Sequence, residues 1–131
     1  MRVLIDTHTF IWYLNKNSAL SERAIGLIQS DNTDLLLSMA SLWEISIKNA
    51  RGRLTIGIGY ESVPDVLTQY AIDILPIYFD HTLQQTRLPF HHKDPFDRMI
   101  AAQALVEKID LVSVDDVFDS YFDGSEVKRI W

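Results

Sequence analysis

Apolar positions along the 131-residue chain fall into two patterns. Val3-Leu4-Ile5, Leu35-Leu36-Leu37 and Leu111-Val112 are short continuous runs. Such runs suit strands buried on both faces. Between them, apolar residues recur at helical spacing. Phe10, Ile11, Tyr13 and Leu14 make a first short helix, and Ala24, Ile25, Leu27 and Ile28 a second, with Ser21 as its cap. Ser41 to Arg51 predicts a third, with Leu42, Ile45 and Ala50 facing inward and Gly52 at its end. Ser62-Val63-Pro64 starts another, carrying Val63, Val66, Leu67 and Tyr70. Ile72 to Ile77 is a strand weakened at its end by Pro76, and Asp80 to Arg87 a short helix. Asp94-Pro95 opens a long helix through Lys108, with proline at the favoured first position. Leu111 to Val114 is a strand, Asp116 to Tyr121 a helical turn, and Val127 to Ile130 a final edge strand. Thr55 to Tyr60 alternates Ile with Gly and fits neither period.

Short buried strands alternating with helices predict an α/β fold. Right-handed crossovers then give a central parallel sheet with helices on both faces. The length suits one domain spanning residues 1–131, and no linker or repeat divides it.

This architecture gives meaning to the acids. Asp6 directly follows the first strand, and Asp115 follows the last buried one. Glu44 and Asp97 lie in early helical turns. Ligands of open α/β sheets bind beyond the carboxyl ends of the strands, so all four acids converge on one edge. Each also has a capping explanation. Ser41-Leu42-Trp43-Glu44 matches a capping box, and Asp94-Pro95-Phe96-Asp97 is a good helix start. Asp6 can cap the helix after it, and Asp115 or its neighbouring alternative Asp116 the short helix that follows. Capping, however, does not require convergence. Four carboxylates in one cleft would repel by several kcal/mol at an effective dielectric of ~20 unless protons or a cation offset them. Oxygen ligands without cysteine favour Mg²⁺ or Mn²⁺, and two such ions suit in-line phosphodiester hydrolysis. Asp94 is the natural N-cap beside Asp97. Lys48, four residues after Glu44, is either its ion-pair partner or a phosphate-binding cation. Thr7, Ser38, Ser41 and Ser113 place hydroxyls near the same edge.

Composition narrows the function further. A net charge of −6 argues against a broad, purely electrostatic grip on nucleic acid, but not against an acidic site neutralised by metal. Local basic groups remain at Lys48, Arg51 and Arg53, and at His91, His92, Lys93 and Arg98. With no cysteine there is neither disulfide nor thiolate chemistry. Four scattered histidines argue against a histidine-based zinc site, and adjacent His91 and His92 cannot face the same way in regular structure. No signal peptide and no membrane-length apolar run is visible, so a soluble cytoplasmic protein is expected. Thr7-His8-Thr9 stands where a dinucleotide-binding fold would carry its glycines. A haloacid-dehalogenase-type phosphatase would need an acid at His8, and the acid pair of a response-regulator receiver is missing.

Asp6-Thr7-His8, Ser41 to Lys48, His92 to Ala104 and Leu111 to Asp115 resemble PIN-domain nucleases, and among them the VapC-type toxins of type II toxin–antitoxin systems. The likeness runs from Val3 to Trp131 in order, and is most specific between Asp94 and Ala104. It implies a single PIN-like domain with a parallel sheet of about five strands. It implies a Mg²⁺- or Mn²⁺-dependent endoribonuclease, one or two ions being held by Asp6, Glu44, Asp97 and Asp115. Asp94, Thr7, Ser38 and Ser113 would stand behind them, with Lys48 or Arg98 toward the phosphate. The family often has threonine where this chain has Ser113, which keeps the hydroxyl. The resemblance further implies a homodimer and a small antitoxin that covers the acidic pocket with an Arg or Lys. Phe10, Trp12 and Tyr13 are either core or contact residues for such partners. The competing expectation is a non-catalytic PIN-like adaptor for RNA or protein, which would show no stabilisation by Mn²⁺.

Overall fold

The computed structural model describes residues 1–51 and 56–131. Gly52, Arg53 and Thr55 lie outside the described residues. Among the described residues, five strands and seven helices follow one another as β1 (Arg2–Ile5), α1 (Thr7–Leu14), α2 (Glu22–Gln29), β2 (Asp34–Ser38), α3 (Met39–Ala50), α4 (Val63–Gln69), β3 (Ile72–Leu75), α5 (Phe79–Arg87), α6 (Pro95–Glu107), β4 (Asp110–Val112), α7 (Val117–Phe122) and β5 (Arg129–Ile130). A 3₁₀ turn at Tyr60–Ser62 leads into α4. The sheet order is β3-β2-β1-β4-β5, and every pairing is parallel. This is the α/β architecture that the continuous apolar runs predict.

Those runs are continuous because both faces of the sheet are covered. Val3 and Ile5 of β1 and Leu35 and Leu37 of β2 pack with Phe10, Ile28, Ile45 and Leu67 on one face. Leu4, Leu36 and Leu111 pack with Ile100, Ala104, Phe118 and Phe122 on the other. Alternate side chains of a strand point to opposite faces, so one tripeptide supplies both cores. Val3, Leu4 and Ile5 are all fully buried.

Several boundaries differ from the sequence expectation. The third helix starts two residues before Ser41, at Met39, and its cap is Ser38, whose Oγ accepts from the Ala40 N–H at 2.9 Å. The capping box expected of Ser41 and Glu44 therefore does not form; Glu44 sits in the second turn. Ala50, expected inward, is exposed on the last turn. β3 ends at Leu75, because Pro76 has no N–H to continue the ladder. β4 stops at Val112 and β5 has two residues. Asp94 caps α6 as expected, accepting from the Phe96 and Asp97 N–H groups.

Candidate active site

The strand order turns at β1. Later strands lie to one side of it through β2 and β3, and to the other through β4 and β5. Adjacent connections leaving in opposite directions open a crevice between β1 and β4. Asp6 emerges from β1 into this crevice, and Ser113 from β4. The Asp6 N–H donates to the Val112 carbonyl at 3.2 Å, and Thr9 Oγ1 donates to the same carbonyl at 3.1 Å. Asp6 Oδ1 accepts from the Thr9 N–H at 2.9 Å, so Asp6 does cap α1. Its Oδ2 accepts from Ser113 Oγ at 2.5 Å. Ser113 Oγ in turn accepts from the Asp115 N–H at 3.0 Å. One serine hydroxyl thus joins the acid after β1 to the loop carrying the acid after β4.

Asp115 divides its carboxylate between two tasks. Oδ1 accepts from the Val117 N–H at 3.0 Å, and Oδ2 lies 2.9 Å from His92 Nε2. The same nitrogen is 3.2 Å from Asp97 Oδ2. The three ligand atoms lie within 4.8 Å of one another. Asp116, the neighbouring alternative, is exposed and makes no side-chain cap.

Glu44, on α3, acts on Asp97 through its charge. It is buried; Oε2 accepts from Lys48 Nζ at 2.5 Å, while Oε1, also buried, has no hydrogen-bond partner among the described residues. Convergence shows in the electrostatics. Burial raises the Asp97 carboxyl, and the charges of Asp94, Glu44 and Asp6 raise it further against the opposing His92, to about 7. Burial likewise raises Asp6, against the hydrogen bonds from Ser113 and Thr9. Lys48 is raised chiefly by its hydrogen bond to Glu44, with contributions from the charges of Asp94 and Asp97. Asp6, Glu44, Asp94, Asp97 and Lys48 therefore share one field, and His92 links Asp115 to it.

Other expected members stand elsewhere. Thr7 Oγ1 donates to Ser41 Oγ at 2.9 Å, tying α1 to α3. Ser38 caps α3 and donates to Gln103 Oε1, whose amide reaches the Pro76 carbonyl. Arg98 is not a rim cation. It is buried, with Nη1 and Nη2 donating to the carbonyls of Pro89, Gln85 and Leu88 and the guanidinium 4.1 Å from the centre of the Phe90 ring. Phe10 is core, and Trp12 and Tyr13 are half-buried against Trp131 and Tyr70. Among the described residues the exposed aromatics are instead Trp43, stacked edge-on with Phe96, and Tyr78, Phe79 and Phe90.

His92 is the member that sequence reasoning misses. The two adjacent histidines do face apart, His91 packing on the Tyr121 ring while His92 meets the carboxylates. The available signal is its place two residues before a helix cap and five before Asp97.

Buried oxygens without cysteine, one of them orphaned, fit a hard divalent cation. Among the described residues, His92, Asp97 and Asp115 form the group whose ligand atoms lie close enough together to hold one, with Asp6 and Glu44 in the same field.

Solved structures with this fold include the VapBC2 complex of Rickettsia felis bound to a fragment of its promoter DNA, at a TM-score of 0.71 and 15% identity over 100% of both chains. They include VapBC-5 of Mycobacterium tuberculosis, at 0.66 and 18%, covering 98% of this chain and 97% of the other. VapC20 of the same organism, a sarcin–ricin-loop-cleaving toxin, matches at 0.65 and 16%, covering 90% and 93%. At these identities the likeness is one of fold. A sequence search of curated proteins finds no match. Residues 3–122 match the PIN domain across both strands that flank the crevice. The chain belongs to the PIN-domain family.

Proposed function

We propose that the protein is a Mg²⁺- or Mn²⁺-dependent endoribonuclease and the toxin of a toxin–antitoxin pair. The observation that carries this reading is Glu44: a buried carboxylate with one oxygen unpartnered, in the same field as Asp97, whose carboxyl is raised by its neighbours. An acid group of this kind costs stability unless it serves to bind a cation. Asp6, Glu44, Asp97 and Asp115 would hold the ion. When bound, it would activate a water and offset charge developing on the phosphate.

The remaining work falls to the chain itself. The Thr9 N–H and Ser113 Oγ take one oxygen each of Asp6 and so fix its plane. The Val117 N–H does the same for Asp115 Oδ1. Lys48, partly exposed and bonded to Glu44, is the cation that turns toward an incoming phosphate. RNA is taken as the substrate class because VapC20 shares the fold. The VapBC complexes among the structural relatives support a cognate antitoxin as partner. A homodimer acting in the cytoplasm belongs to the same reading.

Asp6→Asn and Asp97→Asn are each expected to lower RNA cleavage in Mn²⁺ by roughly 10²-fold or more. Cleavage by both variants at the wild-type rate would sink the proposal. Absence of any Mn²⁺-dependent rise in melting temperature would favour the adaptor reading instead.

A further inference from the structure

Two of the proposed ligands are joined through a third side chain. His92 Nε2 lies between Asp115 Oδ2 and Asp97 Oδ2, at 2.9 and 3.2 Å. Its other ring nitrogen, Nδ1, accepts from the Asp94 N–H at 3.4 Å. A ring nitrogen that accepts carries no proton, so Nε2 bears the hydrogen and donates it toward the carboxylates. A metal-ligating histidine has the reverse arrangement, its second nitrogen donating to an acceptor.

The imidazole is held from behind by residues distant in sequence. The His92 N–H donates to Tyr121 Oη at 2.7 Å, and the ring packs against Phe118. Tyr121 Oη also accepts from Arg98 Nη1 at 3.4 Å. Arg98 holds the preceding carbonyls at Gln85, Leu88 and Pro89. The buried arginine thus fixes the loop that presents His92.

We propose that His92 is a positioning residue that ties Asp97 to Asp115 in the metal-free protein and competes with the divalent ion for the same oxygens. The inference rests on the metal-site reading above. A contact made only in the metal-free state stabilises that state alone, and lowers apparent metal affinity to the same extent. Without the imidazole, the two carboxylates face each other unrelieved until an ion enters.

The test is thermal melting with and without MnCl₂, together with calorimetric Mn²⁺ titration. His92→Ala is expected to lower the melting temperature of chelator-treated protein and enlarge the Mn²⁺-induced rise, with binding about tenfold tighter. His92→Gln keeps an N–H donor near the same reach and should return both values toward wild type. Tyr121→Phe, which keeps the ring but loosens the His92 main chain, should shift both values in the alanine direction by less. This milder variant carries the test if the alanine protein does not fold. A smaller Mn²⁺-induced rise in His92→Ala would make the imidazole a ligand, and an unchanged rise would make it a bystander. Either result overturns the proposal while the wild-type rise still supports a metal site. A wild-type protein without any Mn²⁺ response overturns both.

Discussion

Asp97 concentrates the tension of the site in one carboxyl group. It is raised to about 7 because burial and three neighbouring acids all oppose its charge. The consequence for stability has a definite sign. The folded state binds the proton more tightly than the unfolded chain, so this group's contribution is full below the unfolded carboxylate range and is lost as pH rises toward 7. Metal-free Asp97→Asn should therefore melt higher than wild type at pH 8, with the difference vanishing near pH 4, in chelator-treated melts. The same substitution is expected to abolish most cleavage. Stability gained and activity lost in one variant is the signature of a site strained for its ligand. Glu44 is a second buried acid of the site, its Oε2 held by Lys48 and its Oε1 without a hydrogen-bond partner among the described residues.

At the scale of elements, helix starts do most of the positioning. Asp94 holds the first turn of α6 and so sets Asp97, while Ser38 holds the first turn of α3 and so sets Glu44. Ser38→Ala is expected to cost about 2 kcal/mol, because it removes a cap and leaves Gln103 Oε1 without its donor. Urea unfolding would measure the loss. Asp94→Asn should keep the cap at little cost while lowering the Asp97 carboxyl toward its ordinary range, since one opposing charge is gone. An NMR titration of Asp97 in metal-free protein would check that.

The same scale separates what is legible in the sequence from what is not. The strands and the order of helices are readable, because a sheet covered on both faces needs unbroken apolar runs and helices need their own period. The acids are readable as a set through their places after strands and in helix starts. Ser41 misleads because Ser-x-x-Glu matches a capping box as well as Ser38 fits a cap, and only the strand's true end decides between them. Arg98 and His92 escape a sequence reading for a different reason. What they do depends on Tyr121 and on the carbonyls around Leu88, partners set by tertiary packing that no local pattern specifies.

At the scale of the whole molecule, the crevice depends on the last strands. β5 is short, yet the Ser113 N–H donates to the Ile130 carbonyl, and Arg129 Nη1 donates to the Ser113 carbonyl at 3.0 Å. Val127 and Ile130 are buried beneath it. Deleting residues 126–131 should cost at least about 3 kcal/mol from those two side chains alone. It should also erase the Mn²⁺-induced rise, because Ser113 no longer steadies Asp6. Denaturant midpoints with and without MnCl₂ would show both effects. No helix among the described residues is long and apolar enough to cross a membrane.

The pairing of β1 with β4 also sets an order of events. Asp6 and Ser113 are 107 positions apart in sequence, and the strand that brings them together is the fourth of the five in chain order. Chains are made and folded from the N-terminus. A growing chain therefore carries Asp6, Glu44 and Asp97 before it has the β4 segment that leads to Ser113 and Asp115. The acids come together only once that segment has emerged and paired, so a chain still short of it has no complete site.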